Sequence, residues 1–208
     1  MHVAPPDLRL RGRWVRTLLT TATGHRDDTT EVTWLQAGEL YVDLRGPAGA
    51  VSAGFAGRLV ADGADARWLR TIDLLPARAT PDQGRLAVHG DDLVETGSDG
   101  SYVEHWRRTS RPTDPVAATS LRLGDDHAVL VRVGDHVGWA RTAATSEVSI
   151  GRLTAHGIVC ERSNRADRPN IQVAWDDGRL VVDGRTWWVV DLEGDVSDLV
   201  TTTEHTKP

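Results

Sequence analysis

Residues 29–45 read TTEVTWLQAGELYVDLR, two alternating runs joined at Ala37-Gly38. Successive side chains on a strand point to opposite faces, so the stretch predicts a β-hairpin. Val32, Trp34 and Gln36 share one face of its first strand. On the second strand Leu40, Val42 and Leu44 share one face, and Tyr41, Asp43 and Arg45 share the other. A purely structural hairpin sets bland polar groups opposite its apolar row. Here that row is an aromatic, an acid and a base, so it is expected to help line a cavity.

The same grammar extends outward in both directions. Before the hairpin, 11–20 reads as a strand with Trp14, Arg16 and Leu18 on one face. After it come strands at 55–61 and 66–75, the second with Trp68, Arg70, Ile72 and Leu74 on one side and Leu69, Thr71 and Asp73 on the other. A loop follows at 76–83, then a second hairpin, 84–89 with 92–97, and a strand at 101–108 carrying Tyr102, Glu104, Trp106 and Arg108 on one face. The segment TSRPTDP at 109–115 is the most linker-like in the chain. Beyond it, short strands at 121–123, 128–133, 137–141, 157–161, 171–175, 180–182 and 187–192 alternate with Asp-Gly and Gly-Asp turns. Residues 143–155 fit a strand or a short helix equally. Repeated short strands with such turns indicate an antiparallel barrel or sandwich. The expected organisation is a main barrel section at 10–110 and a second β section at 116–200, completing that barrel or forming a smaller one. Loose termini are expected at 1–9 and 201–208.

Composition bounds the function. The chain has 208 residues, long enough for one large β domain or two small ones, and its 20 glycines and 9 prolines suit many turns. Eight tryptophans stand against one Phe and two Tyr, and Trp suits cavity walls and half-polar cores. A formal net charge of −6 argues against a nucleic-acid or anionic-membrane binder. The one lysine is Lys207, an arginine bias that GC-rich coding produces without functional cause. Cys160 is the single cysteine, which excludes an internal disulfide framework and a cysteine metal cluster. The eight histidines lack H-x-H or H-E-x-x-H spacing, so no metal or other cofactor is expected; His105 and His136 are the nominal candidates for a haem ligand. The N-terminus lacks the apolar core of a signal peptide and no run approaches a membrane span. A cytoplasmic protein is the default.

One resemblance emerges from an ordered series of segments. They are W-V-R at 14–16, D-T-T at 28–30, W-L-Q at 34–36, L-Y-V-D-L-R-G-P at 40–47, G-F-A-G at 54–57, W-L-R-T-I-D at 68–73, D-Q-G at 82–84, L-V-E-T-G at 93–97 and Y-V-E-H-W at 102–106. Together they resemble a family of small, uncharacterised bacterial proteins distantly related to the fungal Hri-type calycin-like proteins. The resemblance covers roughly residues 12–108. It implies a lipocalin-like β-barrel with a ligand cavity and transfers no reaction. It also leads one to expect a helical insert between L-Y-V-D-L-R and G-F-A-G, which here shrinks to 46–53.

The recurring unit is an aromatic followed two residues later by a polar group on the same face: Trp14/Arg16, Trp34/Gln36, Tyr41/Asp43/Arg45, Trp68/Arg70 and Tyr102/Glu104/Trp106. Turned inward, these rows make a cavity with aromatic walls and converging polar groups, which is what a small amphiphilic ligand needs. Buried charges require partners, so Asp43 is expected to pair with Arg45 or Arg16, and Glu104 with Arg70. A carboxyl in a Trp-lined pocket is raised by desolvation and lowered by a nearby guanidinium, so two carboxyls can divide into acid and base. Asp43 and Glu104 are therefore the candidate acid/base groups, Tyr41 and Tyr102 the proton donors, and Arg16 and Arg70 the holders of a developing enolate or carboxylate. Trp14, Trp34, Gln36, Arg45, Trp68 and Trp106 complete the expected ligand contacts. Turned outward, the same rows would be stacked surface pairs of little consequence.

The expectation is an all-β, antiparallel, calycin-like barrel that takes a small organic ligand or substrate, with no nucleic acid and no membrane; a homodimer is compatible with it. Three functions fit: a cofactor-free isomerase, cyclase or lyase, a lipocalin-like carrier or sensor, or an interaction protein with a structural polar core.

Overall fold

The computed structural model describes residues 8–76 and 81–201. Most of the expected loose termini, and residues 77–80 of the loop at 76–83, lie outside the described residues. Leu8–Leu10 form one 3-10 turn.

The strands before residue 110 are β1 (Gly12–Thr21), β2 (Arg26–Asp27), β3 (Glu31–Gln36), β4 (Leu40–Gly46), β5 (Ala53–Asp62), β6 (Asp65–Asp73), β7 (Asp82–His89), β8 (Asp92–Gly97) and β9 (Tyr102–Arg108). All pairings are antiparallel, and β9 returns to β1, so β1 and β3 to β9 close an eight-stranded barrel with β2 added beside β1. Then follow β10 (Val116–Leu123), β11 (Asp126–Val133), β12 (His136–Arg141), β13 (Glu147–Thr154), β14 (Gly157–Ser163), β15 (Val173–Asp176), β16 (Arg179–Val182) and β17 (Arg185–Glu193). They form a second, curled sheet in the order β14-β13-β12-β11-β10-β17-β16-β15. Its two ends meet at an Ile158–Ile171 bridge held by backbone hydrogen bonds of 3.0 and 2.8 Å. The chain is thus all-β and antiparallel, and among the described residues no helix is long and apolar enough to cross a membrane.

Local chemistry explains the hairpins. At Asp177-Gly178 and Asp183-Gly184 both residues take positive φ (41° and 78°, 51° and 74°), the I′ geometry whose twist matches paired strands. The ambiguous stretch 143–155 resolves as strand β13, because β12 and β14 both pair with it. Strand β10 starts at Val116, earlier than the sequence indicates, on small residues with weak strand preference.

Two bulges correct the expected rows. In β1, pairing with β9 jumps from Arg16 to Leu18, which leaves Thr17 as the extra residue. The facing pattern inverts there, so Leu19 and Thr21, not Leu18, continue the inner row of Arg16. In β6, Gly57 pairs with Arg70 and Ala56 with Ile72, so Thr71 is extra. Trp68, Arg70 and Asp73 face the interior, while Ile72 turns outward into the apolar seam between the sheets. A Cβ on Gly57 would sit 2.0 Å from the Leu69 carbonyl oxygen, so only glycine fits opposite this bulge.

The opening hairpin joins the two halves. Leu40, Val42 and Leu44 pack against Val129, Val131, Val133, Ala140, Val148 and Ile150 of the second sheet, while Tyr41 lies with the barrel-interior residues. Strand β4 is therefore buried on both faces. The turn after β3 is capped from the second sheet: the Glu193 carboxylate accepts the backbone N–H groups of Gly38 (2.6 Å), Glu39 (2.8 Å) and Leu40 (3.2 Å). Arg58 bridges the same boundary, donating to Glu39 at 2.8 Å and to Asp191. In the second sheet Trp187 is core, whereas Trp188 is 56% exposed under the Arg179 guanidinium.

Candidate functional site

One part of the barrel interior is filled. Trp14 stacks on Trp34 at 6.1 Å between centroids, and Trp34 meets Trp68 and Trp106 edge-on at 6.2 and 5.6 Å. Trp14 donates its indole N–H to the Leu10 carbonyl at 2.7 Å, and Trp34 donates to Gln36 Oε1 at 2.9 Å. Gln36 passes the chain on to the Gly38 carbonyl at 2.8 Å. Eight strands enclose little more than their own side chains, and this indole cluster uses that space. Trp14, Trp34, Gln36 and Trp106 are accordingly buried core and are not among the residues that line the cavity beside them.

The remainder of the interior opens into a cavity of about 490 Å³. Its wall includes Arg16, Arg45, Phe55, Trp68, Arg70, Glu95, Tyr102 and Glu104, with Leu19, Ala53, Leu75 and Pro76 giving apolar surface. The structure thus brings together Arg16, Arg45, Trp68, Arg70, Tyr102 and Glu104 of the residues chosen from sequence. Tyr41 and Asp43 lie behind this wall, fully or almost fully buried.

The guanidiniums are held by carboxylates. Arg45 forks onto Asp43 through Nε (2.7 Å) and Nη2 (3.2 Å), the pair expected from sequence, and extends Nη1 to Glu104 at 3.3 Å. Arg16 donates to Glu104 and to Asp27, each at 2.7 Å. The expected Glu104–Arg70 pair is not formed. Arg70 instead engages Asp73 at 2.9 Å and Asp82 on β7, because the Thr71 bulge turns Asp73 inward beside it. Its guanidinium carbon lies 3.4 Å from the centroid of Phe55, a short cation–π contact. Backbone N–H groups of Thr30 and Thr29 hold the Asp27 carboxyl well below the usual range.

Glu95 is the residue that sequence reasoning missed. It faces Glu104 directly across the β8–β9 ladder, and the two side chains belong to residues only 4% and 3% exposed. Tyr102 donates its hydroxyl to Glu95 Oε1 at 2.7 Å. Burial first, and the Glu104 charge second, push the Glu95 carboxyl up to about 8. Glu104 has two guanidinium partners; among the described residues Glu95 has none. A carboxyl raised by burial therefore faces a cation-paired one on the same wall. Burial and Glu95 also raise the Tyr102 phenol. Burial raises the Asp43 carboxyl, which Arg45 partly offsets. Burial raises the Tyr41 phenol as well, and its hydroxyl has no partner among the described residues. Cys160, half-buried on β14, has a thiol raised by burial, which suits packing and not nucleophilic attack.

Chemically, this wall can donate a proton from Glu95, accept one at Glu104 and stabilise negative charge beside Arg70. The wall also contains Phe55, Asp73 and Asp82, which no aromatic-plus-two pattern marks. Glu95 did have a signal: it is two residues from the inward Leu93, and the register that pairs Asp92 with Arg107 sets it opposite Glu104.

No protein-family profile matches the sequence, and no curated protein is detectably similar to it. The fold is similar to the crystal structure of uncharacterized protein YLR301w from Saccharomyces cerevisiae, with a TM-score of 0.66 over 93% of this chain and 100% of that one at 13% identity. At that identity the likeness is one of fold alone.

Proposed function

We propose that this protein binds a small organic molecule in the barrel cavity and acts on it by cofactor-independent acid/base chemistry, of the isomerase, cyclase or lyase kind. The observation that carries the reading is the Glu95–Glu104 pair. Two carboxyls share one wall, one lifted to about 8 and one paired with two guanidiniums. Environments that push neighbouring carboxyls apart assign an acid and a base. Glu95 is the proton donor, Glu104 the base, Tyr102 the group that positions Glu95, and Arg70 on Phe55 the holder of developing negative charge. The cavity volume lies within the range of small-molecule sites. The calycin-like, lipocalin-like relationship read from the sequence belongs to this proposal, as does a cytoplasmic setting.

A second reading, a carrier or sensor that only binds, draws support from the arginines. Arg16, Arg45 and Arg70 each already hold carboxylates, as in a wall built to orient and not to react.

Native mass spectrometry of the purified full chain, searching for a co-purified small molecule, tests the shared premise. Ala53→Trp fills the cavity and is expected to abolish the adduct. No adduct on the unmodified chain, or one undiminished by Ala53→Trp, overturns the proposal. The released molecule, returned to ligand-free protein and followed by chromatography, then separates the readings. Glu104→Gln that retains binding and loses turnover means enzyme, and no turnover by the unmodified chain means carrier.

A further inference from the structure

We infer that the second sheet carries a separate oxyanion site, selective for a small molecule bearing a carboxylate or phosphate group. A cavity of about 230 Å³ opens there, with Trp139 on β12 and Trp187 on β17 in its wall, four arginines around it, Arg141, Arg165, Arg168 and Arg185, and one carboxylate, Asp183, which Arg168 holds.

The floor lacks acceptors. Trp139 and Trp187 meet edge-to-face at 5.8 Å, both are 1% exposed, and neither indole N–H has an acceptor among the described residues. In the first barrel Trp14 and Trp34 each have one, and Trp106, like this pair, has none. The nitrogens of Trp139 and Trp187 both lie beneath the cavity surface, so the floor offers a ligand apolar ring surface and the rim supplies its polar contacts.

The rim has an excess of cations. Arg141, Arg165 and Arg168 converge on one carboxylate, the fully buried Glu147, with Arg141 Nε at 2.9 Å and Arg165 Nη1 at 3.5 Å. Arg168 has a second partner in Asp183 at 2.6 Å, and Arg185 reaches Asp126 at 3.3 Å. Arg141 engages Glu147 through Nε, and Arg165 is held loosely with 41% of its side chain exposed. The terminal N–H groups of Arg141 and the Nη2 group of Arg165 are left to turn to a ligand without disturbing Glu147. The first cavity has the opposite character, with three arginines beside four wall carboxyls, those of Asp73, Asp82, Glu95 and Glu104. Guanidinium forks are donors only, so the matching ligand supplies oxygen lone pairs and negative charge.

Inorganic phosphate and benzoate are the probes, titrated against the full chain at constant ionic strength with chloride as the reference. The melting temperature is expected to rise saturably with at least one of them. Arg165→Ala, an exposed position that leaves Glu147 two partners, is expected to raise the half-saturating concentration about tenfold, the loss of one charge-assisted contact. Arg107→Ala, an exposed arginine on the first barrel, is the charge-matched control and is expected to leave the titration unchanged. A response equal to that of chloride for both probes, or a response that Arg165→Ala leaves intact, overturns the assignment.

Discussion

Replacing Glu95 with glutamine keeps the side-chain shape and an oxygen for the Tyr102 hydroxyl, and removes a buried titration. In the unfolded chain this carboxyl loses its proton near the ordinary value of 4.5; in the folded chain it keeps the proton until about 8. Between those values the folded state binds more protons than the unfolded state, so wild-type stability falls as pH rises through the window and levels off above it. At ~1.4 kcal/mol per pH unit the ceiling is ~5 kcal/mol, and relaxation around an ionised buried carboxylate reduces it to a few. Glu95→Gln removes this slope. The variant and wild type are expected to agree within ~1 kcal/mol near pH 5, and the variant to be ~2–4 kcal/mol more stable near pH 9. Urea denaturation followed by tryptophan fluorescence across that range measures the difference directly. Parallel stability–pH profiles for the two proteins would refute the claim that Glu95 is held protonated in the native barrel.

Three further perturbations probe the same wall. Tyr102→Phe removes the hydrogen bond that lowers the Glu95 carboxyl, so a carbon-detected NMR titration of labelled glutamate should place its midpoint above about 8, and a fall would contradict the assignment. Arg16→Met strips one guanidinium from Glu104 and Asp27; with the Arg16 side chain 4% exposed, the expected loss is ~3–5 kcal/mol in urea denaturation. A loss below ~1 kcal/mol would show that Arg45 alone satisfies Glu104. Gly57→Ala drives a Cβ against the Leu69 carbonyl oxygen 2.0 Å away, and thermal or chemical denaturation should report a loss of ~2–4 kcal/mol. Wild-type stability there would mean that the β6 bulge is not fixed.

The turns and the opening hairpin were legible because their signals are local. Asp-Gly pairs demand left-handed backbone, and the alternation of 31–46 survives intact into β3 and β4. The inward row Tyr41/Asp43/Arg45 could be read for that reason. The rows of β1 and β6 could not be carried to their ends, because a bulge costs one residue of register and leaves no mark in side-chain chemistry. Thr17 and Thr71 look like ordinary strand threonines. The consequence was chemical: Asp73 was assigned to the wrong face, and Arg70 was matched with Glu104 instead of its actual partners. No aromatic marks Glu95, since its strand presents Leu93 in that place. The depth at which the indoles stop and the cavity begins is set by how four large rings pack across the barrel, which is tertiary and has no trace in spacing.

The carboxylate of Glu193 caps a turn 153–155 residues earlier in the chain. A ribosome therefore delivers a first barrel whose ladder closes at β9, while three backbone donors of its β3–β4 turn still await an acceptor that has not been made. The Leu40/Val42/Leu44 row is bare over the same interval, since its cover lies in β11 to β13. Synthesis of the second sheet is thus a period of exposure for the first. The ladder of the barrel is complete long before this apolar face is covered, and exposed apolar surface of that kind favours self-association.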